Sequence, residues 1–263
     1  MKALETFDAV LFDLDGTIWH ESVPLPGAVE LVARVRARGQ KYGFVSNSGS
    51  SPKRAVERLA TMGIVSDESQ VLTAAGAGCD YVLETFGEGA RVLNVANDSV
   101  DELLHDRVRF VEDDHSPCDV VLAAGIAHGR ATPQRLQWAL RHLMRGAKLV
   151  GLCADRAYPT PRGFEIGAGG VTAMLAYAAN VTPTYCGKPE AWFFLDLCKR
   201  LAVDPWNCVL IGDNLEADIA GAKRVGMKTI LTLTGLATRI TSDSAPADQR
   251  ADRVVDDLTQ LLT

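Results

Sequence analysis

The chain has 263 residues, 47% of them hydrophobic and 23% charged, and a formal net charge of −6. These proportions are ordinary for a globular protein of one or two domains and exclude a largely disordered or fibrous chain. An acidic chain without runs of lysine or arginine is a poor partner for nucleic acid, and no apolar stretch reaches the roughly 18 residues of a membrane span. Because the chain also lacks a signal-peptide pattern and a paired-cysteine zinc motif, we expect a cytoplasmic protein without a nucleic-acid or membrane partner.

The first 73 residues alternate short apolar runs with helical patterns. Ser51 and Pro52 form a typical helix start, because serine caps a helix and proline fits its first turn. Gly39 stands where a helix end favours a positive φ angle. The predicted elements are a strand at 7–12, a helix at 27–39, a strand at 42–45 and a helix at 52–62.

The middle of the chain, about 74–182, has strand and helix patterns of its own. It carries predicted strands at 91–95, 120–123 and 148–153, a helix at 135–145 and a Pro/Gly-rich loop at 158–163. This stretch is long enough to be a second α/β domain inserted into the first.

The last part of the chain repeats the first rhythm. We predict helices at 192–201, 219–225 and 258–262, and strands at 208–211, 229–233 and 254–255. Alternating strands and helices indicate an α/β fold with a doubly wound parallel sheet, helices lying on both faces. We therefore predict one domain built from 1–73 and 183–263, interrupted by a second at 74–182.

Two acidic clusters follow predicted strands. Asp13 and Asp15 end the first strand, and Gly16 lets the chain turn sharply after them. Asp213 ends a later strand and is followed by Asp218. Since ligands bind at the carboxyl ends of parallel strands and clustered carboxylates repel, this edge predicts a divalent cation such as Mg²⁺.

Two further fragments suit an anion. Ser46 and Asn47 follow a predicted strand and precede a helix, and Lys188 lies at the start of another helix. Each fragment alone has an ordinary structural explanation, because Asp-Gly turns, Ser-x-x-Pro helix starts and solvated lysines are common. Four of them in this order, all at strand ends or helix starts, favour a phosphate site.

The order of these motifs resembles the haloacid dehalogenase (HAD) superfamily, and specifically its class IIA phosphatases, the p-nitrophenylphosphatase or NagD-like branch. The resemblance spans nearly the whole chain and implies a Rossmann-like catalytic core with the inserted segment as an α/β type-2 cap. The motifs are Asp-x-Asp-Gly-Thr at 13–17, Ser-Asn at 46–47, Gly-Lys-Pro at 187–189 and Gly-Asp-x-x-x-x-Asp-Ile at 212–219.

The resemblance implies a role for each acidic residue. Asp13 is the expected nucleophile and a Mg²⁺ ligand, and Asp15 is the expected general acid and base, with its backbone carbonyl also on the metal. Asp213 is the further metal ligand. Asn214 and Asp218 are expected to support these ligands without binding the metal themselves.

The same resemblance implies that Ser46, Asn47 and Lys188 bind the phosphoryl group. In the inserted segment it makes Asp155 a candidate substrate contact. The chain departs from the branch at Cys153 and Ala154, where Asn-Pro often precedes that aspartate, and at Ala217, where threonine is common. The departure at Cys153 and Ala154 bears on the substrate contacts and not on the chemistry. The departure at Ala217 removes no charged group, so we expect activity to survive it.

The expected reaction is therefore hydrolysis of a small phosphate monoester through an aspartyl-phosphate. Relatives of this kind act on nucleotide, sugar, glycerol or glycolate phosphates, and their caps often form homodimer contacts. The alternatives are a phosphotransferase or mutase, a phospho-acceptor signalling protein of the receiver type, and a silent binding protein. Receivers are about half this length and lack an acid two residues after the phosphorylated aspartate.

Overall fold

A computed structural model describes residues 4–21, 23–126, 129–160 and 163–262 of the protein. The chain forms two compact units. The first unit contains residues 1–46, 52–72 and 188–263, and the second contains 47–51 and 73–187. The inserted domain that we predicted at 74–182 is a narrower stretch than this second unit, and its function as a cap stays a prediction.

Short strands alternate with helices along the chain. The strands are β1 (Ala9–Asp13), β2 (Trp19–His20), β3 (Val23–Pro24), β4 (Lys41–Ser46), β5 (Val71–Thr73), β6 (Arg91–Val95), β7 (Arg109–Phe110), β8 (Val120–Ala123), β9 (Lys148–Gly151), β10 (Ala157–Thr160), β11 (Gly163–Ile166), β12 (Thr184–Tyr185), β13 (Cys208–Gly212), β14 (Lys228–Thr232) and β15 (Arg253–Val255). The α-helices are α1 (Ala28–Ala37), α2 (Pro52–Thr61), α3 (Ala74–Phe86), α4 (Asp98–Leu104), α5 (Pro133–Met144), α6 (Ala168–Ala179), α7 (Ala191–Leu201), α8 (Gly221–Arg224) and α9 (Arg239–Asp243).

A six-stranded sheet forms the centre of the first unit, with strand order β15-β14-β13-β1-β4-β5. Strand β1 pairs in parallel with both β4 and β13 and is buried along its whole length. Its apolar run is continuous because a central parallel strand has helices over both faces. The largest side chains of this core include Phe12 and Phe44, which stack with their ring centroids 5.8 Å apart.

The second unit has a sheet of its own, with strand order β12-β9-β8-β6-β7. Strands β6, β8 and β9 are parallel neighbours, and their buried faces pack against α5 and α6. Both units are therefore parallel α/β structures, which confirms the predicted fold class. None of the helices that the structure describes is long and apolar enough to cross a membrane.

Three predicted elements differ from the structure. The helix that we predicted at 258–262 is a 3₁₀ helix at Leu258–Leu261. The Pro/Gly-rich segment, which we predicted as a loop, contains the antiparallel hairpin of β10 and β11. Pro161 and Arg162, which belong to that predicted loop, lie outside the described residues. The helix that we predicted at 219–225 begins earlier, with a π-helical segment at Leu215–Ala220 followed by α8. Its start is set by Asn214, whose side chain accepts hydrogen bonds from the backbone of Glu216 and Ala217.

Candidate active site

Three of the predicted site residues lie at the carboxyl edge of the first unit's sheet. Asp13 is the last residue of β1 and is in register with Val45 of β4. Ser46 ends β4, and Asp213 directly follows β13, the other neighbour of β1. The pairing of the strands therefore brings these residues to one edge, where parallel α/β sheets bind their ligands.

A buried lysine joins two of the carboxylates at this edge. Lys188 Nζ donates hydrogen bonds to Asp13 Oδ1 and, at 2.7 Å, to Asp218 Oδ1. Lys188 is 3% exposed and Asp218 is fully buried. Carboxylate oxygens of Asp13, Asp213 and Asp218 lie within 4.8 Å of one another. Four residues that are distant in sequence thus form one charged cluster with little access to water.

Burial and mutual repulsion disturb the ionisation of this cluster. Burial raises the pKa of Asp13 well above its usual range, and the charges of Asp218 and Asp213 add to the effect, whereas Lys188 opposes it. Burial and the charge of Asp218 raise the pKa of Asp213 to about 7. For Lys188, burial alone would lower the pKa, but the charges of Asp13 and Asp218 raise it above its usual value. Full ionisation of the three carboxylates is therefore unfavourable unless a further positive charge joins Lys188.

A divalent cation fits this charge and these donor atoms. With all three carboxylates ionised, they and the one ammonium group would sum to −3 + 1 = −2. Asp13 Oδ2 is buried and accepts no hydrogen bond from the described residues. An unpaired buried carboxylate oxygen is costly unless a cation reaches it, and oxygen donors suit Mg²⁺. Asp13 and Asp213 are the stronger candidates for ligands, because Lys188 and the Asn214 backbone N–H occupy both oxygens of Asp218.

Glycines leave the space that the Asp213 carboxylate occupies. Asp213 Oδ2 accepts a hydrogen bond of 2.6 Å from the backbone N–H of Leu236. A β-carbon at Gly16 would lie 2.5 Å from the same oxygen, and one at Gly235 would lie closer still. Gly16 also has φ +88°, a conformation that other residues rarely adopt. The loop after β14 therefore positions Asp213, a role that we had not predicted for Leu236.

We expect Gly235→Ala to weaken binding of the divalent cation. The added methyl group overlaps the Asp213 carboxylate and must displace it, so the Mg²⁺ concentration for half-maximal activity should rise by about 10- to 100-fold. Gly63→Ala is the control for backbone strain without steric overlap, since Gly63 has φ +80° and a β-carbon there meets nothing within 4 Å. Titration of the expected phosphatase activity with Mg²⁺ measures the difference. Equal Mg²⁺ requirements for the two variants would contradict this role of Gly235.

Asp15, the predicted acid and base, is more exposed to solvent than the residues of the buried cluster. Its side chain is exposed, and its Oδ1 accepts a hydrogen bond of 2.7 Å from Trp19 Nε1. We had not predicted a role for Trp19. The available signal was a tryptophan four residues after the aspartate, because a buried indole N–H needs a partner.

The remaining predicted residues fall in two places. Ser46 is 2% exposed at the end of β4, in the first unit. Asn47 belongs to the second unit, where its side-chain amide donates to Asp155 Oδ2 at 3.0 Å. The Cys153 thiol donates to the same oxygen at 3.4 Å. The departure from Asn-Pro at Cys153 and Ala154 thus places a thiol beside this carboxylate.

Two family descriptions match the chain: "haloacid dehalogenase-like hydrolase" over residues 10–107 and "HAD-hydrolase-like" over 185–261. Haloacid dehalogenase-like hydrolase domain-containing protein 2 of Bos taurus is 32% identical over 236 residues, which are 89% of this chain and 87% of that protein. This protein belongs to the haloacid dehalogenase-like hydrolases. The unmatched stretch between the two family segments lies within the second unit.

Solved structures agree with this assignment of the hydrolase and specify its branch. A p-nitrophenyl phosphatase from Archaeoglobus fulgidus is 25% identical and superposes with a TM-score of 0.88, covering 97% of this chain and 98% of its own. A glycerol phosphate phosphatase from Mycobacterium tuberculosis, solved in complex with magnesium, is 27% identical with a TM-score of 0.87, covering 98% and 78%. The hydrolase is therefore a phosphatase of the class IIA, NagD-like branch.

Proposed function

We propose that this phosphatase hydrolyses small phosphate monoesters with Mg²⁺ as cofactor and Asp13 as the transiently phosphorylated residue. The observation that carries the proposal is the bridge from Lys188 to Asp13 and Asp218 inside a group of three buried carboxylates. A lysine in this position can neutralise the attacking carboxylate and a phosphoryl oxygen at the same time. A divalent ion accounts for the negative charge that remains.

The metal would be held by Asp13, Asp213 and the backbone carbonyl of Asp15, with Asp218 and Asn214 supporting them. When bound, Mg²⁺ supplies positive charge that offsets the charge of the phosphoryl oxygens. Asp218 would act through its hydrogen bonds, because one oxygen accepts from Lys188 and the other from the Asn214 backbone. These contacts fix the orientation of the Lys188 side chain and thereby the position of its ammonium group.

In the first step, an Asp13 carboxylate oxygen attacks phosphorus in line with the ester bond. The P–O bond breaks, its electron pair moves to the ester oxygen, and Asp15 gives that oxygen a proton, so the alcohol leaves neutral. Lys188 and Ser46 hold phosphoryl oxygens, and Asn47 stands beside them in sequence. Splitting one difficult displacement into two easier ones is the advantage of such covalent catalysis.

In the second step, ionised Asp15 takes a proton from water, and the resulting hydroxide attacks phosphorus of the aspartyl-phosphate. The bond between phosphorus and Asp13 breaks, which releases phosphate, the free Asp13 carboxylate and protonated Asp15. Both steps develop charge on the same phosphoryl oxygens, so one set of positive groups stabilises both transition states.

The second unit is proposed to act as the cap that selects the leaving group. Asp155 remains the candidate substrate residue, although its carboxylate already accepts hydrogen bonds from Asn47 and Cys153. The Asn97 side chain also donates to the backbone carbonyl of Gly49 at 3.0 Å. The segment that follows Ser46 is thus held by residues of the second unit, which would carry specificity. A homodimer through this unit stays a proposal.

The alternative functions are less well supported. A receiver-type signalling protein needs no acid at position 15 and no second unit, and a mutase would have to return phosphate to a second hydroxyl. A panel of phosphate monoesters with Mg²⁺, scored by kcat/KM against p-nitrophenyl phosphate, tests the proposal. Release of inorganic phosphate from several esters supports a hydrolase, whereas a long-lived phosphoprotein without turnover would support a receiver.

Removal of the metal is expected to abolish activity and to lower stability. With excess chelator, turnover should fall to background and return when Mg²⁺ is added in excess. The unfolding temperature should rise with Mg²⁺ concentration, because the ion binds the folded site, where it relieves repulsion among the three carboxylates. Full turnover in excess chelator would contradict the proposed cofactor.

A further inference from the structure

Trp19 holds the carboxylate of Asp15 from within the loop that follows β1. Its Nε1 donates to Asp15 Oδ1 at 2.7 Å. In the described part of the chain, no donor bonds to the other oxygen, Oδ2, and the Asp15 side chain is exposed. One oxygen of this exposed carboxylate is thus fixed by an indole, and the other is left for a further partner.

The indole itself is held firmly. Trp19 is 2% exposed and belongs to the apolar core of the first unit. Its backbone N–H donates to the carbonyl of Leu14 at 3.1 Å, and its own carbonyl accepts from Gly16 at 2.8 Å. The guanidinium of Arg58, on α2, lies 4.3 Å from the centre of the indole rings, in range of a cation–π contact. The donor therefore has one direction, fixed by backbone, core and cation.

The chemistry of the indole decides which oxygen of Asp15 carries a proton. An indole N–H donates hydrogen bonds and cannot accept them. Oδ1 is therefore the acceptor whether Asp15 is ionised or protonated. Because a carbonyl oxygen is a better acceptor than a hydroxyl oxygen, this bond favours the form of the neutral acid that carries its proton on Oδ2. This is the oxygen that remains open for a leaving group or a water molecule.

We propose that Trp19 is a positioning residue for acid–base catalysis by Asp15, which directs the transferable proton to Oδ2 and holds the carboxylate in one orientation. The inference rests on the proposed function, because it assumes that Asp15 protonates the leaving alcohol. Misplacing a catalytic group by about 1 Å can cost roughly 10²-fold in rate. An exposed carboxylate without this bond would rotate freely between orientations.

The leaving group separates this role from a merely structural one. Glycerol phosphate releases a basic alkoxide that needs the proton of Asp15, whereas p-nitrophenyl phosphate releases a phenolate that is stable without it. The ratio kcat/KM covers the steps up to release of the alcohol and excludes the later hydrolysis of the phosphoenzyme. In Trp19→Phe the aromatic ring under Arg58 remains and the N–H is lost.

For Trp19→Phe we expect kcat/KM to fall by roughly 10- to 100-fold with glycerol phosphate and by less than about threefold with p-nitrophenyl phosphate. Inhibition by vanadate, which occupies the phosphate site, should not change. Trp206→Phe, at a tryptophan that is 65% exposed in the same unit, is the matched control and should alter neither substrate. Equal losses for both substrates, or no loss, would overturn the inference.

Two further variants keep the result interpretable. If Trp19→Phe does not fold, replacement of Trp19 by 3-benzothienylalanine retains both rings and substitutes sulfur for the N–H. Asp15→Asn is measured in parallel. Its kcat/KM should also fall more with glycerol phosphate than with p-nitrophenyl phosphate, and the difference should be larger than for Trp19→Phe. If Asp15→Asn loses the same fraction of kcat/KM with both substrates, the proposed acid–base role fails. If only the Trp19 variants do so, the proposed function stands and the role of Trp19 is refuted.

Discussion

Asp13→Asn is expected to lower kcat by more than about 10⁴-fold, with Mg²⁺ and p-nitrophenyl phosphate. The amide oxygen is a poor nucleophile, and the substitution also removes a charged oxygen from the proposed metal site. The fold should persist, because the change keeps the shape of the side chain and reduces repulsion with Asp213 and Asp218. Steady-state kinetics and thermal unfolding measure the two effects.

The matched control for this variant is Asp248→Asn, at an exposed aspartate in the first unit, 235 positions after Asp13 in the sequence. It removes one negative charge without touching the cluster, and its kcat should be unchanged. If Asp13→Asn and Asp13→Ala both retained activity within tenfold of the unaltered protein, the assignment of Asp13 as nucleophile would be wrong.

Lys188→Met should cause the largest combined loss of activity and stability. The substitution leaves three buried carboxylates without their cation, and breaking a buried ion pair from one side costs about 3–5 kcal/mol. The activity should fall by about 10²- to 10³-fold, since a positive group on the transferring phosphoryl is lost. Chemical denaturation at constant pH gives the first quantity, and kcat/KM gives the second.

Mg²⁺ should return part of the stability that Lys188→Met loses, because the ion offsets the same negative charge. Lys199→Met, at an exposed position on α7, is the control and should change neither stability nor its dependence on Mg²⁺. A Lys188→Met variant as stable as the unaltered protein without metal would mean that Lys188 does not stabilise the buried carboxylates.

Local sequence patterns predicted the elements that position the site. The strands β1 and β13 are continuous apolar runs; β1 ends in Asp13 and β13 is followed directly by Asp213. The proximity of these two aspartates therefore followed from parallel pairing of the strands. The hairpin of β10 and β11 was missed because proline and glycine usually indicate a loop, whereas here Pro159 belongs to β10 and Gly163 to β11.

Two side-chain contacts could not be predicted from the sequence. The bond between Asn47 and Asp155 joins positions 108 residues apart, and it places Asn47 in a different unit from Ser46. The bond from Trp19 to Asp15 depends on a loop that closes on the Leu14 carbonyl, which accepts from Ile18 and Trp19. Neither geometry follows from residue spacing alone, although the tryptophan four residues after Asp15 was a signal for the second contact.

The stereochemistry at phosphorus tests the transient phosphorylation of Asp13 most directly. An isotopically chiral phosphorothioate ester is hydrolysed in labelled water, and the configuration of the released thiophosphate is determined. Attack by Asp13 followed by attack of water inverts phosphorus twice, so we predict net retention. Net inversion would mean that water attacks the ester in a single step, and the two-step account would be wrong.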